Sequence, residues 1–235
     1  MRLLICILTY NRPEMLCRLL EDITREAGVV DGSALDFVVR VYDDGSEEPL
    51  NVTGHYHAAL IRRSIHGGKR LFWAWMGRVV RDARRSKNWD RLLVLPDDVR
   101  LAPGFFARVE AAWMAIPSHA KILLNPLMDA RGPAAHWTAF EPLFVDRGPG
   151  LYRVGWNDGC FYCDRRFVVR FQKFRCPSPK RWHRPYISTG VGDQLSRWAL
   201  GQGFTLWQVA DSLLWHGDHR SKMHAEHPSQ RMRRP

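Results

Sequence analysis

Apolar runs alternate with helical periods through the first half of the chain, and three of those runs end in polar clusters. Leu3–Leu8 is apolar without a break and stops at Thr9-Tyr10-Asn11-Arg12. Asp36–Tyr42 stops at Asp43-Asp44-Gly45-Ser46, and Leu92–Leu95 stops at Pro96-Asp97-Asp98. A strand that is apolar throughout is covered on both faces, as in a sheet layered between helices. The intervening segments have the period such helices need. Pro13 suits a first helical turn, followed by a stripe of Met15, Leu16, Leu19, Leu20 and Ile23. Gly67-Gly68 precedes the clearest helix, with Leu71, Phe72, Trp75, Met76, Val79, Val80 and Ala83 at a 3.6-residue spacing. Ala58–Ile65 predicts a weaker third strand, Pro103 opens a helix to about Ala115, and Lys121–Asn125 predicts a fifth strand. This rhythm predicts an α/β fold with a mostly parallel central sheet flanked by helices. Ligands in such sheets bind beyond the carboxyl ends of the strands. One polar cluster alone is an ordinary turn. Three at one edge, two of them acidic, read as a site.

The second half is less regular. Residues 128–150 show no clear period. Phe161–Phe171 reads as a strand and a short helix, Gly190–Leu200 as a helix, and Phe204–Val209 and Ser212–Trp215 as two short strands. No internal repeat appears. The expectation is one domain over 1–235: a nucleotide-binding half at 1–126, a smaller acceptor-binding and catalytic half at 127–222, and a basic tail at 223–235.

A hydrophobic fraction of 46% excludes the disordered classes. The formal charge of +11 predicts attraction to polyanions, with nucleic acid, anionic lipid and nucleotide phosphates as candidates. No apolar run approaches the roughly 18 residues of a spanning helix, and the N-terminal run is too short for a signal peptide. Five cysteines, an odd number without disulfide spacing, fit a reducing compartment. A cytoplasmic protein without membrane attachment is expected. Cys160 and Cys163, with Cys176 and His183, have zinc-like spacing. The first two lie in a strand-like stretch that would point them to opposite faces, which argues against zinc.

Adjacent carboxylates at a strand end are costly unless a cation neutralises them. Asp97 and Asp98 therefore suggest Mg²⁺ or Mn²⁺ bridging a diphosphate. Arg12, Lys69 and Arg70 could add charge for the same phosphates. The plain alternative is that Asp98 caps the helix opened by Pro103 while Asp97 stays solvated.

Five segments, in order, resemble the GT-A glycosyltransferases of the large inverting family-two type. They are Ile5–Arg12, Val41–Ser46, Leu93–Gly104, Gly192-Asp193-Gln194 through Gly203-Phe204, and Ser212–Gly217. The resemblance runs from Leu3 to about Lys222 and implies a Rossmann-like GT-A fold with a nucleoside diphosphate sugar as donor, a UDP-sugar foremost. It implies that Thr9, Asn11, Arg12 and Asp44 border the nucleotide. Asp97 and Asp98 would hold the ribose and the metal, with Asp98 the direct ligand and His216 completing the metal shell. Asp193 would be the catalytic base. The chain departs from the family pattern twice: Pro96-Asp97-Asp98 stands where Asp-x-Asp is commoner, and Gly192-Asp193 stands where Glu-Asp is commoner.

The resemblance leaves the acceptor open, so charge bears on it. Residues 165–184 hold eight Lys or Arg and no Asp or Glu, interleaved with Phe167, Phe171, Phe174 and Trp182. With the Arg-rich tail, this stretch suits a polyanion held by phosphate contacts, with rings for stacking. The leading expectation is a hydroxymethylated pyrimidine base in DNA, a modification whose expected setting is a viral genome. Trp156, Asn157, Asp158, Lys180, Arg181 and Trp182 are the candidate acceptor contacts. A saccharide or lipid-linked acceptor is the alternative. From other classes, a sugar-nucleotidyltransferase and a non-catalytic nucleic-acid-binding module remain. The first should carry a Gly-rich basic loop after strand one, where Thr9–Pro13 stands instead.

Overall fold

The computed structural model describes residues 1–28, 35–48, 50–52, 58–127, 142–143, 150–155, 157, 159–177 and 190–216. Residues 142–143, Lys69 and His216 are described by backbone alone. The first strand, β1 (Arg2–Thr9), is buried along nearly its whole length. It pairs in parallel with β2 (Asp36–Asp43) on one side and β4 (Arg91–Pro96) on the other. Beyond β2 lies β3 (Ala58–Arg62), also parallel. This strand ends at Arg62, short of the expected Ile65, which is exposed.

Past β4 the sheet becomes mixed. The order continues through β9 (Phe161–Asp164), β6 (Leu123–Asn125), β10 (Leu206–Val209), β8 (Leu151–Val154) and β7 (Pro142–Leu143). β9 runs against β4 and β6, and β8 against β10 and β7, while β6 and β10 are parallel. The remaining strands all share the direction of β1, so the sheet is mostly parallel, as expected. Sequence periodicity missed β7, β8 and β5 (Val99–Leu101), which are all short. β5 forms a separate ladder with β11 (Leu214–His216).

Helices cover the sheet. In α1 (Pro13–Ala27) the expected stripe is buried at Leu16, Leu19, Leu20 and Ile23. α2 (Gly68–Arg85) buries Trp75, Met76, Val79, Val80 and Ala83. Leu71 is exposed instead, because the first turn of this helix projects past the sheet edge toward Asp44. α3 (Phe105–Ala115) starts after Gly104, two residues later than Pro103 suggested. Then come α4 (Arg165–Arg170) and α5 (Val191–Gly201).

The stretch 165–177 is amphipathic in a way its sequence did not disclose. Phe167, Phe171 and Phe174 are buried, and they pack against one another and against Trp198. Arg166, Arg170, Lys173 and Arg175 are exposed. Of the rings expected to stack on a ligand, these three are core, and the outward face carries these charges with Val169, Gln172 and Cys176.

One buried acid fixes β5 against α1. Asp22 accepts from Arg100 Nε and Nη2 at 2.5 and 2.8 Å and from the Leu101 backbone N–H at 3.2 Å. Arg25 pairs with it at 2.9 Å. These bonds hold the Asp22 carboxyl below the usual range despite the opposing effect of burial. Asp22→Ala should cost about 2–3 kcal/mol of unfolding free energy, since both arginines keep partial access to water. Urea denaturation measures this, and a loss below about 1 kcal/mol would show that the pairing is dispensable.

Candidate functional site

Parallel pairing carries three polar strand ends to one edge. Thr9 lies opposite Asp43, and Asp43 opposite Arg62. The Asp97 N–H donates to the Leu8 carbonyl at 3.1 Å, and the Asp44 N–H to the Thr9 carbonyl at 3.0 Å. Arg62, Asp43, Thr9 and Asp97 thus form one row across the carboxyl edge.

Asp97 and Asp98 are the turn between β4 and β5. Asp97 is buried; its Oδ2 accepts from Thr9 Oγ1 at 2.7 Å and its Oδ1 from Arg12 Nη1 at 3.1 Å. The same Nη1 donates to Asp98 Oδ2 at 2.8 Å. Arg12 therefore bridges both carboxylates. Asp98 does not cap α3: the N-cap is Gly104, whose N–H donates to Glu26 Oε2 at 2.7 Å, so the capping alternative falls. Burial, reinforced by the charge of Asp98, pushes the Asp97 carboxyl up to about 6, against the opposing pull of Arg12 and Thr9.

The loop 9–12 is clamped to the β2 turn. Asn11 has φ of 49°, in the left-handed region that asparagine tolerates. Its N–H donates to Ser46 Oγ at 2.9 Å, and its side chain exchanges two bonds with Glu47, at 3.1 and 2.8 Å. Asp43 Oδ1 accepts from the Ser46 N–H and hydroxyl, and Arg62 pairs with Oδ2 at 3.3 Å. Gly45 has φ of 80°, and a Cβ there would lie 2.7 Å from the His66 nitrogen, so this turn requires glycine.

Asp44 caps the approach to α2. Its Oδ1 accepts from Arg63 Nη1 at 2.8 Å and its Oδ2 from the Gly68 N–H at 2.8 Å. His66 lies 3.2 Å from the same carboxylate and stacks on Tyr10 with centroids 3.5 Å apart. These contacts place the first turn of α2, with Lys69 and the exposed Arg70, at the acidic edge. The positive end of the helix dipole is there met by the Asp44 carboxylate. Sequence reading missed Arg62, Arg63, His66, Tyr10 and Glu47. The signal was present in Arg62-Arg63 at the end of the third strand, a basic counterpart to the acidic turns beside it.

His216 enters by backbone. The β11–β5 ladder sets it opposite Val99, the residue after Asp98. Asp193 sits in the first turn of α5. This helix packs on β10, joins it through residues 202–205, and precedes a strand that runs with β1. A helix so connected runs against its strand, which sets its N-terminus at the carboxyl edge. Arg197 Nε donates to Asp193 Oδ1 at 2.7 Å. Gln194, the next residue, accepts from the Arg175 N–H at 2.6 Å and donates to its carbonyl at 2.9 Å. The basic stretch is thereby tied beside Asp193.

Asn157 is fully buried, and its N–H donates to Ser196 Oγ of α5 at 2.8 Å. Among the described residues neither amide atom of its side chain has a hydrogen-bond partner. Trp156, Asp158, Lys180, Arg181, Trp182, His183 and the Arg-rich tail lie outside the described residues, as do the side chains of Lys69 and His216.

The donor chemistry fits a hard divalent ion. Two carboxylates share the Arg12 guanidinium at the carboxyl edge of the sheet, and a histidine-bearing strand runs beside them. Among the described residues no group of three or more His, Cys, Asp or Glu could hold a metal, so the described donors are the two aspartates. Cys160 and Cys163 are both buried, and burial holds the Cys163 thiol well above its usual range.

Because the folded Asp97 holds its proton to about pH 6, against an ordinary value of 3.8, its ionisation costs the native state stability as pH rises between those values. Asp97→Asn removes that cost. The difference in unfolding free energy, mutant minus wild type, should rise from about pH 4 to about pH 6 and then level off. A difference that stays flat across this range refutes the assignment.

No protein-family model matches the chain, and no curated protein does. Among solved structures, S. aureus TarS 1-349 shares 16% identity over 62% of this chain, with a TM-score of 0.39. S. aureus TarS shares 14% identity over 60% of this chain, with a TM-score of 0.40. The matches span 42% and 24% of those chains, less than half of each.

Proposed function

We propose that the chain is a metal-dependent glycosyltransferase that uses a nucleoside diphosphate sugar. The observation that carries this reading is the gathering of Thr9, Arg12, Asp97 and Asp98 into one charged cluster at the carboxyl edge of a mostly parallel sheet. A helix N-terminus bearing Lys69 and Arg70 stands at the same edge. The likeness of the five sequence segments to the family-two enzymes adds the donor class. A non-catalytic nucleic-acid module would have no use for two carboxylates crowded there.

In this reading Asp98 and His216 hold Mn²⁺ or Mg²⁺, and Asp97 holds the ribose. The ion supplies Lewis-acid stabilisation of the departing diphosphate. Arg12, Lys69 and Arg70 take up the negative charge that develops on it. Asp193, oriented by Arg197, accepts the proton of the acceptor hydroxyl as that oxygen bonds to the anomeric carbon. The bond from that carbon to the diphosphate oxygen breaks, and its electron pair leaves with the nucleoside diphosphate.

For the acceptor we propose DNA carrying a hydroxymethylated pyrimidine. Exposed Arg170, Lys173 and Arg175 support a polyanion, and Gln194 fastens Arg175 next to the base. A base modified inside a duplex must be swung out to reach such an edge. Burial of Phe167, Phe171 and Phe174 removes them as stacking partners, so phosphate contacts carry the affinity.

The test is a transfer assay with Mn²⁺ and labelled UDP-glucose or other nucleotide sugars. It offers plain DNA, hydroxymethylated DNA and a glycan pool. Label is expected in hydroxymethylated DNA alone; label only in glycan keeps the transferase and removes the DNA acceptor. Asp193→Asn should lower turnover by about a hundredfold or more, the scale of general-base catalysis, with donor binding nearly intact. Binding to DNA should weaken steeply with salt, with a log–log slope of about −0.9 per phosphate contacted.

A further inference from the structure

Asp98, which the proposed function assigns to the metal, already has a positive group against it. Arg12 Nη1 lies 3.1 Å from Asp97 Oδ1 and 2.8 Å from Asp98 Oδ2. The Arg12 side chain is about nine-tenths covered, so this is no surface pair loosened by solvent. Its backbone has no freedom to follow the guanidinium elsewhere. Asn11 before it is pinned by Ser46 and Glu47, Pro13 after it opens α1, and its own carbonyl accepts from the Leu16 N–H. The side chain is the only part that can move.

We infer that Arg12 is the resting cation of this site, displaced from Asp97 and Asp98 when a divalent ion enters and rebound to the diphosphate that arrives with it. The inference rests on the proposed metal site and adds an order of events to it. A guanidinium between two carboxylates repels an incoming dication and occupies the oxygen lone pairs that dication needs. Withdrawn from Asp97 and Asp98, this largely buried positive charge loses two anionic neighbours. A diphosphate replaces them, because its oxygens accept the same forked donors as a carboxylate. Metal and nucleotide therefore bind as a pair, and the metal binds weakly by itself. In the absence of donor, Arg12 keeps the two aspartates neutralised and the strand ends in place.

The experiment measures Mn²⁺ binding to the full chain by the electron paramagnetic resonance signal of free Mn²⁺, with and without UDP. It uses wild type, Arg12→Gln, Arg12→Lys and Asp98→Ala. Removing one unit charge at this distance is expected to tighten Mn²⁺ binding without UDP by at least about tenfold in Arg12→Gln. Arg12→Lys, which keeps the charge but not the fork, should fall between it and wild type. It also serves if the glutamine variant does not fold, which circular dichroism will show. UDP should tighten Mn²⁺ binding strongly in wild type and little in Arg12→Gln. If both Arg12 variants bind Mn²⁺ no more tightly than wild type, while Asp98→Ala abolishes binding, the metal site stands and the resting-cation role is refuted. If no variant binds Mn²⁺, with or without UDP, the metal reading itself fails and takes this inference with it.

Discussion

The pairing of β1 on both sides governs the rest of the structure. Its residues from Leu3 to Leu8 lie in register with β2 and with β4 at once, and both pairings are parallel. Parallel register forces the ends of all three strands to the same edge, whatever residues stand there. The apolar core thus fixes where the polar turns must meet, and the turns have only to be compatible with one another. Asp44 and Asp97 both donate their backbone N–H to carbonyls of β1, so the site is an extension of the sheet ladder rather than a loop laid over it.

That meeting place concentrates negative charge, and the structure answers with arginines from the ends of neighbouring elements. Arg12 bridges Asp97 and Asp98, Arg62 lies on Asp43, and Arg63 on Asp44. Each acid at the edge is matched by a base from the end of a neighbouring strand or the start of a helix. The compensation is incomplete at Asp97, where burial outweighs pairing and holds the proton into the mildly acidic range. Thr9, Asn11 and Ser46 contribute fixed hydrogen bonds that orient these groups without adding charge.

Much of this was legible in the sequence because apolar periodicity reports burial directly. The runs at Leu3, Asp36 and Leu92 announced strands, and their polar stops announced the edge. The short strands β5, β7 and β8 were illegible because two to four residues carry no period. Burial of Phe167, Phe171 and Phe174 was hidden for another reason. Their spacing in a charged stretch reads equally as an exposed face or as a seam, and only the packing on Trp198 decides. Leu71 misled in the opposite sense, continuing a helical stripe beyond the point where there is a sheet to cover. Arg12 was visible as a basic residue at the right edge, but its place between two carboxylates is a relation across more than eighty residues that no local pattern encodes.

Gln194 holds the segment beside it as a strand would. Its amide gives one donor and one acceptor to the carbonyl and N–H of Arg175, the same two groups a neighbouring backbone would engage. The grip is neutral at both ends. Dissolved ions screen the charges of Arg170, Lys173 and Arg175, but they leave this amide bridge untouched. The backbone at Arg175 therefore keeps its tether to α5 at ionic strengths that screen the charges around it.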